Sequence, residues 1–232
     1  MLVVGSGDFA GGIGDGGLNG QLVKTGPGTL FLSGISNTYT GGTRIEGGVL
    51  AVNNISGSAT GTGAVNVQPS AVLSGGNTGA TAGFIGGPVT IQDMGHLEPG
   101  LNAGTLTLQS TLMLSPLSQV DFQLGQPGFD GGANNDLVKV LDDLTLDGRL
   151  NISSIGFGGG GDYTLFTYGN RLFDNGLAIG TIPNGFNASQ FTIDVSIPNK
   201  VVLHVVPEPQ DIALLSTGFV SILTLQRRRR ST

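Results

Sequence analysis

From Leu22 the chain reads LVKTGPGTLFLSGISNTYTGGTRIEGGVLAV. Short apolar runs at Thr29–Leu32, Thr43–Ile45 and Gly48–Val52 are cut by Gly26-Pro27-Gly28, by residues 37–42 and by Gly47-Gly48, a turn roughly every ten residues. Helices of ordinary length do not fit between such turns, and a strand this short cannot bury an apolar face by itself. Neighbouring coils must stack to make a core. The pattern predicts a solenoid in which Leu30, Leu32, Ile45, Leu50 and Val52 point inward and Lys24, Arg44 and Glu46 outward. Alternation fixes this choice, because a one-residue slip would expose every apolar side chain.

The rhythm continues downstream. Runs at Val65–Val67, Val72-Leu73, Val89–Ile91, Leu106–Leu108 and Leu112–Leu114 alternate with Gly-, Pro- and Asn-containing turns. Beyond residue 119 the strands lengthen, at Gln119–Leu124, Leu137–Val140, 149–153, 163–168, 191–197 and 201–206. These divide the chain into solenoid coils over 1–119 and a terminal β cap over 120–206, whose longer strands are expected to pair antiparallel and close the open sheet edges. The chain holds 42 glycines without a Gly-X-Y period, which excludes collagen, and its 38% hydrophobic content excludes a disordered linker. Turns consume the glycine. Some of Gly28, Gly34, Gly41, Gly42 and Gly48 should therefore take positive φ.

Residues 22–52 closely resemble the autotransporter-associated β-strand repeat, also called the passenger-associated transport repeat. Its pattern, K-x-G-x-G-T-L-x-L-x-G-x-N-x-Y-x-G-G-T, is met by Lys24, Gly26, Gly28, Thr29, Leu30, Leu32, Gly34, Asn37, Tyr39, Gly41, Gly42 and Thr43, with Gly48 and Leu50 following. The resemblance implies a right-handed parallel β-helix, exported and surface-exposed. Classical autotransporters end in a membrane barrel that secretes the passenger; here the cap is expected to be followed by a tail of another kind.

That tail begins at a proline-bracketed hinge, Pro207-Glu208-Pro209, and continues as fourteen uncharged residues, 212–225, then Gln226 and the block Arg227, Arg228, Arg229 and Arg230. The fourteen residues of 212–225 are short for a bilayer helix, rising only about 21 Å against a hydrocarbon thickness of roughly 30 Å, and the helix is expected to run over 212–226. Snorkelling arginine stems would extend it. The arginines should stop on the cytoplasmic side and leave the preceding domain outside. The alternative is an amphipathic helix packed on the domain, with a basic end for anionic lipid or nucleic acid. Hinge, span and arginines together resemble the PEP-CTERM sorting signal of Gram-negative bacteria. The resemblance implies processing by an integral-membrane sorting enzyme, exosortase. Residues 207–232 are thus a sorting segment, and a secretory signal upstream of Met1 is expected to accompany it.

Charge narrows the partners. Through Val206, fourteen acidic residues outweigh six basic ones, and such a surface repels phosphate backbones. A nucleic-acid role is not expected. With no cysteine, disulfides, thiolate nucleophiles and zinc–thiolate sites are excluded. Parallel β-helices include polysaccharide lyases and glycosidases, whose sites need convergent carboxylates. Here Asp8, Asp15, Glu46, Asp93, Glu98 and Asp121 are scattered, and the denser Asp136, Asp142, Asp143 and Asp147 occupy expected turns. Residues 130–136 offer oxygen ligands but fit neither the EF-hand nor the nonapeptide calcium spacing. The glycine run at 156–161 opens a strand and lacks the basic residue of a phosphate loop. His96 and His204 lie too far apart in sequence to suggest a zinc pair, and His204 is expected to be an exposed strand residue.

No catalytic, cofactor or metal residue is therefore assigned. The expected protein is a non-enzymatic surface or extracellular-matrix solenoid whose rows of Thr, Ser and Asn would contact extracellular polysaccharide. The competing expectation is a fragment of a β-helix polysaccharide-active enzyme whose catalytic coils are missing. Three or more carboxylates converging in one groove would favour the enzyme.

Overall fold

The computed structural model describes residues 1–75, 83–154, 156 and 159–206. The hinge, the helix expected over 212–226 and Arg227 to Arg230 lie outside the described residues. Among those described, no helix is long and apolar enough to cross a membrane.

The described chain is all β but for one short 3₁₀ turn, and it winds coil upon coil. The first coil holds β1 (Leu2–Val4) and β2 (Gly7–Phe9), the second β3 (Leu22–Lys24) and β4 (Thr29–Leu32), and the third β5 (Thr43–Ile45) and β6 (Gly48–Val52). The fourth adds a third side: β7 (Val65–Val67), β8 (Ala71–Gly75) and β9 (Phe84–Ile85). Then follow β10 (Val89–Ile91), β11 (His96–Glu98) and β12 (Thr105–Leu108), and next β13 (Leu112–Leu114), β14 (Gln119–Leu124) and β15 (Leu137–Val140). The seventh coil holds β16 (Leu144–Leu146), β17 (Arg149–Ser154) and β18 (Gly161–Tyr168), and the eighth β19 (Leu172–Asp174) and β20 (Ala178–Ile179). Last come β21 (Phe191–Asp194) and β22 (Lys200–Val205).

First strands of successive coils form one sheet, second strands another, and third strands the last. Pairing between coils is parallel and in register, with Leu30 over Leu50 over Leu73 over Leu97 over Val120 over Leu150. Each of these side chains is buried, as are Leu32, Ile45 and Val52. The inward rows expected from alternation are present.

Three expectations are corrected. Antiparallel pairing does not begin at 120: β14 pairs parallel with β17, β15 with β18, and β17 with β20. Among the described strands only β22 reverses, lying antiparallel to both β18 and β21. Strand length reflected wider coils and said nothing about strand direction.

Lys24 is not outside. It is fully buried, and its Nζ donates to the carbonyls of Thr25, Gly26 and Gly47 at 2.8–3.0 Å. Burial lowers its pKa, and the three carbonyls, one of them from the next coil, satisfy all three ammonium protons. Arg44 and Glu46 do lie outside, joined by a 3.0 Å ion pair. The repeat's glycines divide into two kinds: Gly42 and Gly48 have positive φ, whereas Gly28, Gly34 and Gly41 do not and instead admit the backbone or side chain of the preceding coil.

His204, expected to be a simple exposed strand residue, bridges two carboxylates. Nδ1 meets Asp162 at 2.5 Å on β18 and Nε2 meets Asp194 at 3.1 Å on β21, so one imidazole spans all three antiparallel strands. Asp162 and then Asp194 raise its pKa. The Ser196 amide and hydroxyl, followed by His204, hold Asp194 at about 2. A raised folded-state pKa means that the folded protein binds this proton more tightly than the unfolded chain does. The stabilisation is complete below the ordinary histidine value of about 6.5 and disappears as pH rises through the raised one. Urea unfolding across that range should show wild-type stability declining with pH, and His204→Gln should make the decline shallower. Parallel curves for the two proteins would exclude the histidine as the cause.

A polar cleft across three coils

On the second sheet, alternation sends Leu97, Val120, Phe122, Leu150 and Ile152 into the core. It sends Glu98, Asp121, Gln123, Asn151 and Ser153 to the outer face. Coil stacking sets Asp121 beside Asn151 and Gln123 beside Ser153, with His96 beside Gln119 at the edge of the array. Glu98, Asp121, Gln123, Asn151 and Ser153 line a cleft of about 340 Å3 that also includes Thr181.

The cleft is braced by its own hydrogen bonds. His96 Nδ1 lies 2.7 Å from Asp121 Oδ2, and Asn151 Nδ2 donates to Asp121 Oδ1 at 2.8 Å and to Gln119 Oε1 at 3.1 Å. Asn151 Oδ1 accepts from the amide and the hydroxyl of Thr181. Asp121 is thereby fixed from two neighbouring coils. Glu98 has no hydrogen-bonded or ion-paired partner among the described residues. Burial and the negative charge of Asp121 raise its pKa, opposed by His96.

Behind the cleft Asp136 is fully buried, its Oδ1 accepting the Gly104 amide at 2.8 Å and its Oδ2 the Gln123 amide at 2.7 Å. Burial pushes its carboxyl up to about 8 against the pull of those two amides, with Glu98 adding to the rise. Neighbouring Asn135 is likewise consumed by backbone: it accepts from Gly125 and donates to Gln126 and Phe129. The oxygens of 135–136 are therefore occupied by the protein itself. Among the described residues no cluster of three or more His, Asp or Glu side chains is arranged to hold a metal.

Of the acids expected at turns, Asp147 accepts the amide of the adjacent Gly148, whereas Asp143 pairs with Arg171 at 3.0 Å and Asp142 accepts from the Asn170 side chain. A second hollow of similar volume opens at the start of the stack among Met1, Leu2, Ile13 and Leu18. It is the end of the apolar core, and its one acid is already engaged: Asp15 accepts the amides of Gly17, Gly20 and Thr40 and the Thr40 hydroxyl, which together lower its pKa strongly.

Two expectations about polar residues change. The repeat's polar residues are not a surface row: Asn37, Tyr39 and Thr43 are buried. Asn37 links three coils, accepting the Ile13 amide at 2.7 Å and donating to the Ala59 carbonyl at 2.6 Å, and Tyr39 meets the Thr43 hydroxyl at 2.6 Å. Ser36, Thr38 and Thr40 alone of that stretch's hydroxyl residues remain exposed. Conversely, Glu98 and Asp121 are not scattered. They are one coil apart and share the cleft.

Comparison with known proteins places the stacked strands in context. Residues 22–52 match the family model described as Passenger-associated-transport-repeat. A stretch of 102 residues is 49% identical to the Adhesin BmaC autotransporter of Brucella suis biovar 1 (strain 1330), covering 43% of this chain and 3% of that protein. The chain thus spans a small fraction of the length of the curated relative it matches. It is an all-β protein of parallel stacked coils that carries an autotransporter-associated repeat.

Proposed function

We propose that this is an exported, non-enzymatic surface solenoid that takes part in adhesion, delivered through the cell envelope by its C-terminal segment. The observation that carries the proposal is the repeat at 22–52 on a parallel coil stack, in a chain 49% identical over 102 residues to an autotransporter adhesin. The stack supports it physically. Rows of buried Leu, Val and Ile running from coil to coil make a stiff rod whose outer faces are free to meet a partner. Extracellular polysaccharide is the partner we favour, since the acidic surface disfavours nucleic acid.

Sorting is the second half of the proposal. Pro207-Glu208-Pro209, the apolar 212–226 and Arg227 to Arg230 form a signal for an exosortase-type membrane enzyme, with the tail passing through the membrane on the way to the surface. In a bacterium that carries such an enzyme, replacing Pro207-Glu208-Pro209 by alanines should leave membrane insertion intact and block processing. Full-length precursor would accumulate. Replacing Arg227 to Arg230 by Gln should mislocalise the protein, because orientation follows those charges. Protease shaving of intact cells and mass spectrometry of the mature C-terminus are the measurements. A mature surface protein that still ends in Arg-Ser-Thr would sink the sorting half, and protein confined to the cytoplasm would sink the whole proposal.

A further inference from the structure

We propose that the cleft on the second sheet is a glycan subsite selective for an amino sugar, its ammonium seated between Glu98 and Asp121 and its hydroxyls on Gln123, Ser153 and Thr181. The inference rests on the polysaccharide reading above and gives it a place and a chemistry.

Four observations converge. The cleft, about 340 Å3, falls in the range of small-ligand pockets, about 300–1,000 Å3. Its two carboxylates are close enough to repel one another, and its lining contains neither lysine nor arginine. Arg149 stands two residues before Asn151 on the same strand face, outside that lining, and forms no ion pair with either acid. His96 is the nearby base, and it is already committed to Asp121. A cation supplied by a ligand would relieve the repulsion.

Asp121 is held rigidly by His96 and Asn151, while Glu98, partly buried, is left without a partner among the described residues. A fixed acceptor beside an unsatisfied one is a preorganised seat for an N–H donor with several protons. A divalent metal fits poorly, because two carboxylates fall well short of the six to eight oxygens that calcium takes.

The remaining lining favours a sugar over an apolar amine. Gln123, Ser153 and Thr181 offer an amide and two hydroxyls with free acceptor oxygens, which a ring bearing several hydroxyls can use, while Asn151 is consumed in bracing Asp121, Gln119 and Thr181. The strand ladder spaces outward rows about 4.8 Å apart, similar to the length of one pyranose ring. A glycan lying along the stack would meet one row per ring. An acidic sugar would be repelled by the same two carboxylates.

The test titrates the full chain with three oligosaccharides of equal length by isothermal calorimetry: fully deacetylated glucosamine oligomers, their N-acetylated counterparts, and oligogalacturonate. The glucosamine oligomer should bind. Acetylation should weaken binding about tenfold or more, because it removes a charged donor. Oligogalacturonate should not bind. Glu98→Gln and Asp121→Asn should each weaken glucosamine binding about tenfold or more. Glu98→Gln should leave the melting temperature unchanged or raised, since it removes an unpaired, partly buried charge; that separates lost binding from lost fold.

Equal binding of acetylated and deacetylated oligomers, unchanged binding by folded Glu98→Gln, or no glucosamine binding would each overturn the subsite. The first two outcomes leave glycan adhesion standing, with its contact elsewhere on the stack. Binding of none of the three, in a protein that still coats the cell, would overturn the subsite while leaving the surface-solenoid proposal intact.

Discussion

Gly34→Ala should destabilise the protein by about 3 kcal/mol, and Gly26→Ala by only about 1 kcal/mol. The two glycines sit in the same repeat and answer to different physics. Gly26 has φ +70 and no atom within 4 Å of where a Cβ would stand, so alanine there meets only the strain of a left-handed backbone. Gly34 has no such requirement. A Cβ at that position would be driven into the carbonyl of Gly11, one coil earlier. That carbonyl cannot retreat easily, because Phe9 and Leu32 fix the coil spacing through the β2–β4 ladder and Asn37 ties Ile13 to the same corner. Overpacking of backbone against backbone is relieved only by parting two coils. Urea midpoints of both variants, read by circular dichroism, make the comparison. Equal losses would mean that the glycine spacing reflects turn conformation alone.

That contrast shows what could be read from the chain in advance. Inward rows such as Leu30, Leu50 and Leu73 were legible because alternation on a stacked strand leaves one register that buries them. The glycine motif was legible as turns, yet the reason for Gly34 was not, since its partner Gly11 belongs to another coil. Lys24 misled for a related reason. A lysine in an alternating run reads as solvent-facing, and nothing local announces that the Gly47 carbonyl of the next coil will join those of Thr25 and Gly26 around its amine.

The cleft failed to appear in the sequence for the same geometric cause. Glu98, Asp121 and Asn151 are separated by whole turns of the solenoid, so along the chain they look dispersed. The signal that would have found them is their shared parity. Each occupies an outward position of the second strand in its coil, and adding coils in order brings them side by side. Strand direction in the cap was beyond reach, and the antiparallel expectation failed for β14, β15 and β17, because strand length is the same kind of number for both pairings. His204 had no sequence neighbour to betray it: Asp162 and Asp194 arrive through β18 and β21.

Polar burial therefore does two jobs in this protein. In the repeat, Lys24, Asn37 and Tyr39 commit their hydrogen-bonding groups to coil corners and present nothing outside. Four coils on, Asp136 takes the same inward role, accepting the Gly104 and Gln123 amides behind the face that carries Glu98 and Asp121. The polar cleft then belongs to the coils beyond the repeat, and the repeat supplies their footing.

Asp136→Ala is the second large effect, with an expected loss of about 3 kcal/mol. Removing the carboxyl strands the amides of Gly104 and Gln123, both facing a buried site, and an orphaned buried donor costs about 1–3 kcal/mol. Asp136→Asn should lose about 2 kcal/mol, since its oxygen serves one amide while its NH2, a donor with no lone pair to offer, faces the other. The pH dependence gives a sharper readout. The folded carboxyl titrates at about 8 against 3.8 for an ordinary aspartate, because burial outweighs the two amides. The folded protein thus keeps a proton that the unfolded chain has already released, and stability should fall as pH rises from about 4 towards about 8. Measured in a His204→Gln background, which removes the histidine contribution, that slope should persist with Asp136 present and flatten with Asp136→Asn. If the slope is absent even with Asp136 in place, the Gly104 and Gln123 amides hold the carboxylate charged throughout, and the buried group is an anion anchored by backbone rather than a protonated acid.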